Sequence, residues 1–125
     1  MQIQDIFLRY EKDLAMVEKF IEEQQQSYVH LIPEITGYII NSGGKRLRPL
    51  LLMVSSDLCD YRGDRRYSIA GVIEFIHTAS LLHDDVVDHA AIRRGRTSAN
   101  NLWGNSATVL VGDYLYAKAF KVLAE

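Results

Sequence analysis

The sequence predicts an all-α protein of about five helices, and three observations carry that prediction. Several long stretches repeat apolar residues every three or four positions. Short segments rich in glycine, asparagine and aspartate separate these stretches, and no segment alternates polar and apolar residues for long. With 125 residues, the chain has about the length of one small domain, so we expect a single hydrophobic core.

Three helices are predicted in the first half of the chain. The first covers about residues 3 to 26, because apolar residues recur at threes and fours from Ile3 to Ile21. The second covers about residues 28 to 40, with Pro33 in its first turns, and ends at "NSGG" because glycine accepts left-handed backbone. The third begins at Pro49, since proline suits the first helical position, and ends before the polar cluster "DYRGD".

Two more helices are predicted in the second half. The fourth runs from near Tyr67 to about residue 89, and its narrow polar face implies deep burial. The fifth follows "WGNSA" and runs from about Ser106 to the last residue. The final stretch "AFKVLAE" has no glycine, proline or polar cap after it, so we expect either a piece of a larger helical protein or an end that packs on a partner.

Composition excludes several classes of protein. Fourteen Lys plus Arg residues face 16 Asp plus Glu, and 48% of residues are hydrophobic, which indicates neither disorder nor a general nucleic-acid binder. The single cysteine, Cys59, follows an apolar run and is expected to be a buried, reduced thiol. The N-terminus does not resemble a signal peptide, and no apolar run approaches the ~20 residues of a membrane span, so we expect a cytoplasmic protein.

The segment "LLHDDVVDHAAIRRGR" places an acidic cluster just before a basic one. If residues 67 to 89 form one helix, Asp84 and Asp88 lie on one face, about one turn apart. Two carboxylates so placed repel each other unless a cation lies between them, and Mg²⁺ prefers such hard oxygen ligands. A solvated acidic helix end is the alternative, but the apolar lead-in "ASLL" favours carboxylates that face a cavity.

Two basic clusters predict sites for anions. Arg93 and Arg94 follow the aspartates within reach of the same cavity, and guanidinium groups bind phosphate oxygens in bidentate fashion. In "SGGKRLRP", two glycines that permit close backbone approach precede Lys45, Arg46 and Arg48. This segment lacks the spacing of a nucleotide-binding Walker loop, so we interpret it only as an anion pocket.

His77 lies two helical turns before Asp84, on the same stripe of the predicted helix. A lone histidine on an apolar face is more often a core residue, but here it can line the same cavity. One Mg²⁺-type carboxylate site and two cationic clusters suit two substrates that each carry a diphosphate. The residues alone do not identify the organic part of either substrate.

Three segments resemble hallmark segments of the trans-isoprenyl diphosphate synthases, also called polyprenyl synthetases. These segments are "GGKRLRP", "HTASLLHDDVVD" and "RRGRTSAN", which occur in the family's order, and the resemblance runs from about residue 28 to the end. It implies the N-terminal part of the isoprenoid-synthase helical bundle. Within the family, the stretch from residue 81 to residue 120 most resembles bacterial long-chain enzymes, with a product near octaprenyl.

The resemblance also implies a role for each site residue. Asp84 and Asp88 would coordinate Mg²⁺, with Asp85 in the same aspartate-rich motif, and Arg93 would contact the allylic diphosphate. The diphosphate of isopentenyl diphosphate would be bound by the remaining polar residues: Lys45, Arg48, His77 and Arg94. The implied reaction ionises the allylic carbon–oxygen bond, joins the isopentenyl double bond to the resulting cation, and releases a proton.

Product length and assembly are implied in the same way. Ser80 and Ala79 stand four and five residues before Asp84, at positions where short-chain members of the family carry bulky aromatic residues. Small residues there imply a long-chain product, near octaprenyl, that serves as the side chain of a respiratory quinone. Family members are typically homodimers that pair through central helices, and residues 106 to 125 would lie in that region.

One feature of the family pattern is missing from the chain. The second aspartate-rich motif lies downstream in family members, so residues 1–125 are expected to be the N-terminal portion of a single polyprenyl synthetase domain, inactive alone. One alternative is a non-catalytic prenyltransferase-like subunit, which a stop codon directly after Glu125 would favour. The other is a metal-dependent phosphohydrolase with a His-Asp pair, using His83, Asp84, His30 and Asp113; a metal-preference titration separates it from a Mg²⁺ enzyme.

Overall fold

The structure is a computed structural model that describes residues 1–42 and 44–125. Gly43, the first glycine of "GGKRLRP", lies outside the described residues. The described residues form seven helices and one short hairpin: α1 (Ile3–Arg9), α2 (Glu11–Gln24), α3 (Leu31–Ile40), α4 (Leu47–Leu58), α5 (Arg65–Val87), β1 (Ile92–Arg93), β2 (Arg96–Thr97), α6 (Ala99–Trp103) and α7 (Asn105–Ala124). The all-α prediction is confirmed.

Helix α5 forms the centre of the molecule. Helix α7 packs along it more extensively than any other helix, and α2 and α4 cover other faces of it. The core residues of α5 and α7 follow the helical period: Val72, Phe75, Ala79 and Leu82 on α5, and Val111, Leu115, Ala119 and Val122 on α7. The deep burial expected of the fourth predicted helix is therefore observed.

The first predicted helix is two helices, with a break at Tyr10. The backbone of Tyr10 leaves the helical region (φ −103°, ψ 15°). Its ring is buried, and its hydroxyl donates a hydrogen bond to Asp57 Oδ2 on α4 at 2.5 Å. The apolar period continues across the break, so periodicity alone predicted one continuous helix.

Other details also differ from the sequence predictions, among them the hairpin, which was not predicted. Helix α4 begins at Leu47, two residues before Pro49, and the short helix α6 was not predicted. Cys59 is exposed rather than buried, because it is the C-terminal capping residue of α4 and lies beyond that helix's buried face. Within the described part of the chain, no helix is long and apolar enough to cross a membrane.

Candidate functional site

The C-terminal end of α5 presents two open carboxylates. The backbone N–H of Asp88 donates to the Asp84 carbonyl at 2.8 Å, which continues the helix by one residue past Val87. The side chains of Asp84 and Asp88 therefore lie one turn apart on one face, and both are exposed. Two oxygen-only ligands at that spacing fit Mg²⁺, which completes its shell with water and substrate oxygens.

Asp85 does not join the other two aspartates. It is 1% exposed, and its carboxylate accepts hydrogen bonds from Arg93, with Nη2 at 2.6 Å and Nε at 3.2 Å from Oδ1. The hydrogen bonds to Asp85 also raise the pKa of Arg93 above its ordinary value. Position 85 turns inward, about 100° around the helix from position 84, so the structure pairs the Asp85 carboxylate with Arg93.

A Schellman motif turns the chain back over the end of α5. The N–H of Ala90 donates to the Asp85 carbonyl at 2.9 Å, and the N–H of His89 donates to the Val86 carbonyl at 3.3 Å. His89 occupies the left-handed position of the motif, with φ 53°. Ser98 Oγ and Asn100 Nδ2 both donate to the Ala90 carbonyl, which fixes the returning chain.

The basic segment after the aspartates is a tight hairpin. Strands β1 and β2 pair antiparallel, with Arg93 opposite Arg96. Arg94 and Gly95 form the two-residue turn with φ of 53° and 76°, the positive values that a type I′ turn requires. This turn places Arg93 on Asp85 and leaves Arg94 exposed beside it.

Tyr38 on α3 fixes the hairpin from outside. Its hydroxyl donates to the Thr97 carbonyl at 2.7 Å. The guanidinium of Arg96 lies 4.0 Å from the centroid of the Tyr38 ring, and Trp103 of α6 packs edge-on against the same ring at 5.2 Å. No local pattern predicts this contact, because Tyr38 lies 59 residues before Thr97.

His77 lies among three of the predicted substrate-binding cations. Burial lowers its pKa below the ordinary 6.5, and the positive charges of Arg48, Arg94 and Arg93 lower it further. Arg48 and Arg94 are exposed, and Arg94 Nη1 donates to the Ile39 carbonyl at 3.4 Å. The positive charges of Arg48, Arg93 and Arg94 therefore all favour the neutral form of His77.

Lys45 lies apart from that group. It is exposed and lines an apolar groove of about 760 Å³ with Ile3, Gln4, Phe7, Leu8 and Leu47. Its neighbour Arg46 turns the other way, into the protein, where it contacts Glu18 and Glu74.

The two predicted chain-length residues differ in exposure. Ala79 is fully buried in the core stripe of α5. Ser80 is partly buried, and its hydroxyl donates to the His77 carbonyl at 2.6 Å. Ser80 therefore has the more accessible side chain of the pair.

His83 belongs to the packing of α5 against α7. Its Nε2 lies 3.1 Å from the Val109 carbonyl and 3.2 Å from Asp113 Oδ1. A Cβ on Gly112 would lie 2.4 Å from Nε2, so only glycine permits this approach. Across residues 1–42 and 44–125, no three His, Cys, Asp or Glu side chains are grouped to hold a metal.

Two open carboxylates therefore lie beside a hairpin of arginines at the end of the central helix of an all-α protein. A family model described as polyprenyl synthetase matches residues 29–125. The chain belongs to the polyprenyl synthetase family, as the three sequence segments had indicated.

Its relatives include two octaprenyl diphosphate synthases. The chain is 47% identical over 112 residues to the one from Escherichia coli K12, covering 90% of this chain and 35% of that protein. It is 44% identical over 125 residues to the one from Haemophilus influenzae, covering all of this chain and 38% of that protein. The chain therefore spans a little over a third of the length of these relatives.

Solved structures give the same fold. A polyprenyl synthase from Caulobacter crescentus, in complex with calcium and isoprenyl diphosphate, superposes with a TM-score of 0.94 at 41% identity, over 98% of this chain and 38% of that one. A decaprenyl diphosphate synthase from Rhodobacter capsulatus superposes with a TM-score of 0.92 at 44% identity, over 97% of this chain and 38% of that one.

Proposed function

We propose that this chain supplies the first diphosphate and metal site of a trans-polyprenyl diphosphate synthase. That enzyme would condense isopentenyl diphosphate with an allylic diphosphate to give a long-chain product, near octaprenyl, for quinone side chains. The observation that carries the proposal is the pair of exposed carboxylates, Asp84 and Asp88, at the end of α5 beside the arginine hairpin. The names of the relatives support the long-chain product.

Asp84 and Asp88 are the residues that would hold Mg²⁺. Their oxygens are hard donors, and their exposure leaves room for water and for diphosphate oxygens. Bound there, Mg²⁺ would supply positive charge that stabilises the diphosphate leaving group. The calcium ion and isoprenyl diphosphate in the Caulobacter protein are consistent with a divalent cation in this family.

The two diphosphates would be bound by different residues of this chain. Asp85 holds Arg93 through Nε and Nη2, so that the remaining amino group of Arg93 can donate to the allylic diphosphate. Arg48, Arg94 and His77 would bind and orient the diphosphate of isopentenyl diphosphate, with Lys45 at its margin. A neutral His77 at pH 7, as its lowered pKa indicates, can donate one hydrogen bond without adding charge.

Bond changes then follow from the two orientations. The allylic carbon–oxygen bond breaks, and its electron pair leaves with the diphosphate. The isopentenyl double bond attacks the allylic cation to form the new carbon–carbon bond, and the adduct loses a proton. Fixed positive groups stabilise the departing charge without reorganising, which is usually the largest catalytic contribution.

We also propose that residues 1–125 are the N-terminal portion of one polyprenyl synthetase domain, that this portion alone is inactive, and that the enzyme is a cytoplasmic homodimer. The span of a little over a third of the relatives' length supports the first statement. Exposed apolar residues on α7, Leu110, Phe120 and Leu123, support burial of that helix against further protein.

A product assay tests the proposed function. The full-length enzyme that carries this segment is incubated with isopentenyl diphosphate and farnesyl diphosphate, and the dephosphorylated products are separated by chromatography. We expect products near forty carbons (about eight isoprene units), formed with Mg²⁺ and abolished by a chelator, because the carboxylate site is needed. Product formation that continues unchanged in the chelator would contradict the metal assignment.

A further inference from the structure

Arg46 belongs to the basic segment but does not point to solvent with it. Its guanidinium contacts Glu18 of α2, lies 3.7 Å from Glu74 Oε2 of α5, and donates to the Ile40 carbonyl of α3 from Nη1 and Nη2 at 3.4 Å. The side chain is only 16% exposed. One guanidinium therefore ties the start of α4 to three other helices.

The backbone of Arg46 adopts a conformation that the contacts of its side chain must stabilise. Arg46 adopts left-handed geometry, with φ 59° and ψ 32°, immediately before α4. A residue with a Cβ pays about 1–2 kcal/mol for that geometry, so the surrounding contacts must stabilise it. The N–H of Leu50 donates to the Arg46 carbonyl at 3.2 Å, and Arg46 is the N-cap residue of α4.

Glu74 is the buried partner of this anchor. It is 6% exposed and lies one turn before His77 on α5. Burial raises the pKa of Glu74, and Arg46, Arg48 and Arg94 oppose that rise. A buried carboxylate is stable only when it is paired, and Glu74 lies among the cations assigned to the diphosphate pocket.

We propose that Arg46 and Glu74 are positioning residues for the diphosphate of isopentenyl diphosphate, an inference that rests on the proposed function. Their ion pair fixes the first turn of α4 against α5. It thereby sets the position of Arg48 relative to His77, while Arg46 itself binds no phosphate. The Asp85–Arg93 pair holds the allylic side separately, so loss of the Arg46–Glu74 pair affects one substrate only.

Steady-state kinetics of the full-length enzyme test this role. Glu74→Gln keeps the size of the side chain and removes its charge, and Arg46→Met keeps the apolar stem and removes the guanidinium. We expect each to raise the KM for isopentenyl diphosphate about tenfold, the scale of one lost charge-assisted contact. The KM for the allylic substrate and kcat should stay within about twofold of wild type, since neither variant touches the Asp85–Arg93 pair.

Three further variants separate positioning from general stability. Arg46→Gly accepts the left-handed backbone without strain but removes the guanidinium. It should therefore still raise the KM for isopentenyl diphosphate. The double variant Glu74→Gln/Arg46→Met should be no worse than the worse single variant, because both act through one pair. Glu34→Gln, the same chemical change at an exposed site on α3, should match wild type.

A binding measurement keeps the test independent of turnover. Inorganic diphosphate should raise the Tm of wild type, and the Glu74→Gln and Arg46→Met variants should lose at least half of that shift. Equal increases in KM for both substrates, or a full diphosphate shift in both variants, would overturn the positioning role. A wild type that binds diphosphate but makes no prenyl product would instead contradict the proposed function alone.

Discussion

The guanidinium of Arg93 is oriented by its hydrogen bonds to Asp85. Nε and Nη2 are bonded to Asp85, whereas Nη1 makes no hydrogen bond within the described part of the chain. A guanidinium has five N–H donors in one plane, so binding Asp85 fixes the plane in which the others lie. Asp85 thus fixes the orientation of the Arg93 guanidinium.

Arg93→Ala should therefore lower the free energy of unfolding and weaken binding of the allylic substrate. We expect a loss of about 3 kcal/mol in the free energy of unfolding, since Asp85 is left buried and unpaired. We also expect the KM for the allylic substrate to rise tenfold or more. Arg48→Ala and Lys45→Ala should instead raise mainly the KM for isopentenyl diphosphate. If Arg93→Ala and Arg48→Ala changed the KM values of the two substrates in the same way, the proposal of two separate pockets would be contradicted.

His77 should make stability depend on pH. Its pKa in the folded protein is below the ordinary 6.5, so the unfolded chain binds more protons between that lowered value and 6.5. The free energy of unfolding should therefore fall as pH falls through this window. His77→Gln should remove that part of the loss, measured by denaturant unfolding at several pH values.

His30→Gln is the matched control, because His30 is an exposed histidine on a different helix end. It should leave the pH dependence of unfolding as in wild type. A pH dependence of wild type that His77→Gln does not change would show that other groups cause it.

At the scale of elements, the hairpin is the part of the site that needs outside support. Each strand has two residues, and an isolated hairpin is marginal in water. Tyr38 supplies a hydrogen bond to Thr97, a cation–π contact to Arg96 and an edge contact to Trp103. The positions of the hairpin arginines therefore depend on the contacts that Tyr38 of α3 makes with the hairpin.

Tyr38→Phe tests this support by removing one hydroxyl and keeping the ring. We expect unfolding to become easier by about 1 kcal/mol, the value of one net hydrogen bond, and faster amide exchange in residues 92–97. Tyr28→Phe, at a fully exposed ring, serves as the control. Unchanged exchange in the hairpin of Tyr38→Phe would show that the turn holds itself.

Helices α2, α3, α4, α5 and α7 could be predicted because each buries apolar residues that recur with the helical period. The break at Tyr10 and the hairpin could not, since each depends on a distant partner, Asp57 in one case and Tyr38 in the other. For the site, the spacing of Asp84 and Asp88 predicted their common face. The inward turn of Asp85 and the contacts of Arg46 depend on packing between helices. A lone Glu74 in an apolar run does, however, indicate that this carboxylate needs a cationic partner.

At the scale of the whole molecule, the growing product would extend from the carboxylates along α5 towards its N-terminus. Ala79 and Ser80 lie in that direction, and both are small. Ala79 is fully buried, so an aromatic ring there must displace core atoms, which costs about 1–3 kcal/mol. Ser80 is partly buried and accepts a larger side chain more readily.

We predict that Ala79→Phe and Ser80→Phe both shorten the product of the full-length enzyme, because a ring at either position narrows the path of the prenyl tail. Chromatography of dephosphorylated products gives the length, and thermal unfolding identifies a variant that is merely unstable. Unchanged length in a stable Ser80→Phe enzyme, or a wild-type product that stops at about fifteen carbons, would place the limit of the tunnel elsewhere.

Substitution of the two open carboxylates tests whether Asp84 and Asp88 form the metal site. In the full-length enzyme, Asp84→Asn/Asp88→Asn should lower kcat by orders of magnitude at saturating Mg²⁺ while leaving Tm close to wild type, because both side chains are exposed. Asp60→Asn/Asp64→Asn removes the same charge from the loop before α5 and should keep full activity. Full activity in Asp84→Asn/Asp88→Asn would contradict the metal and diphosphate site at the end of α5.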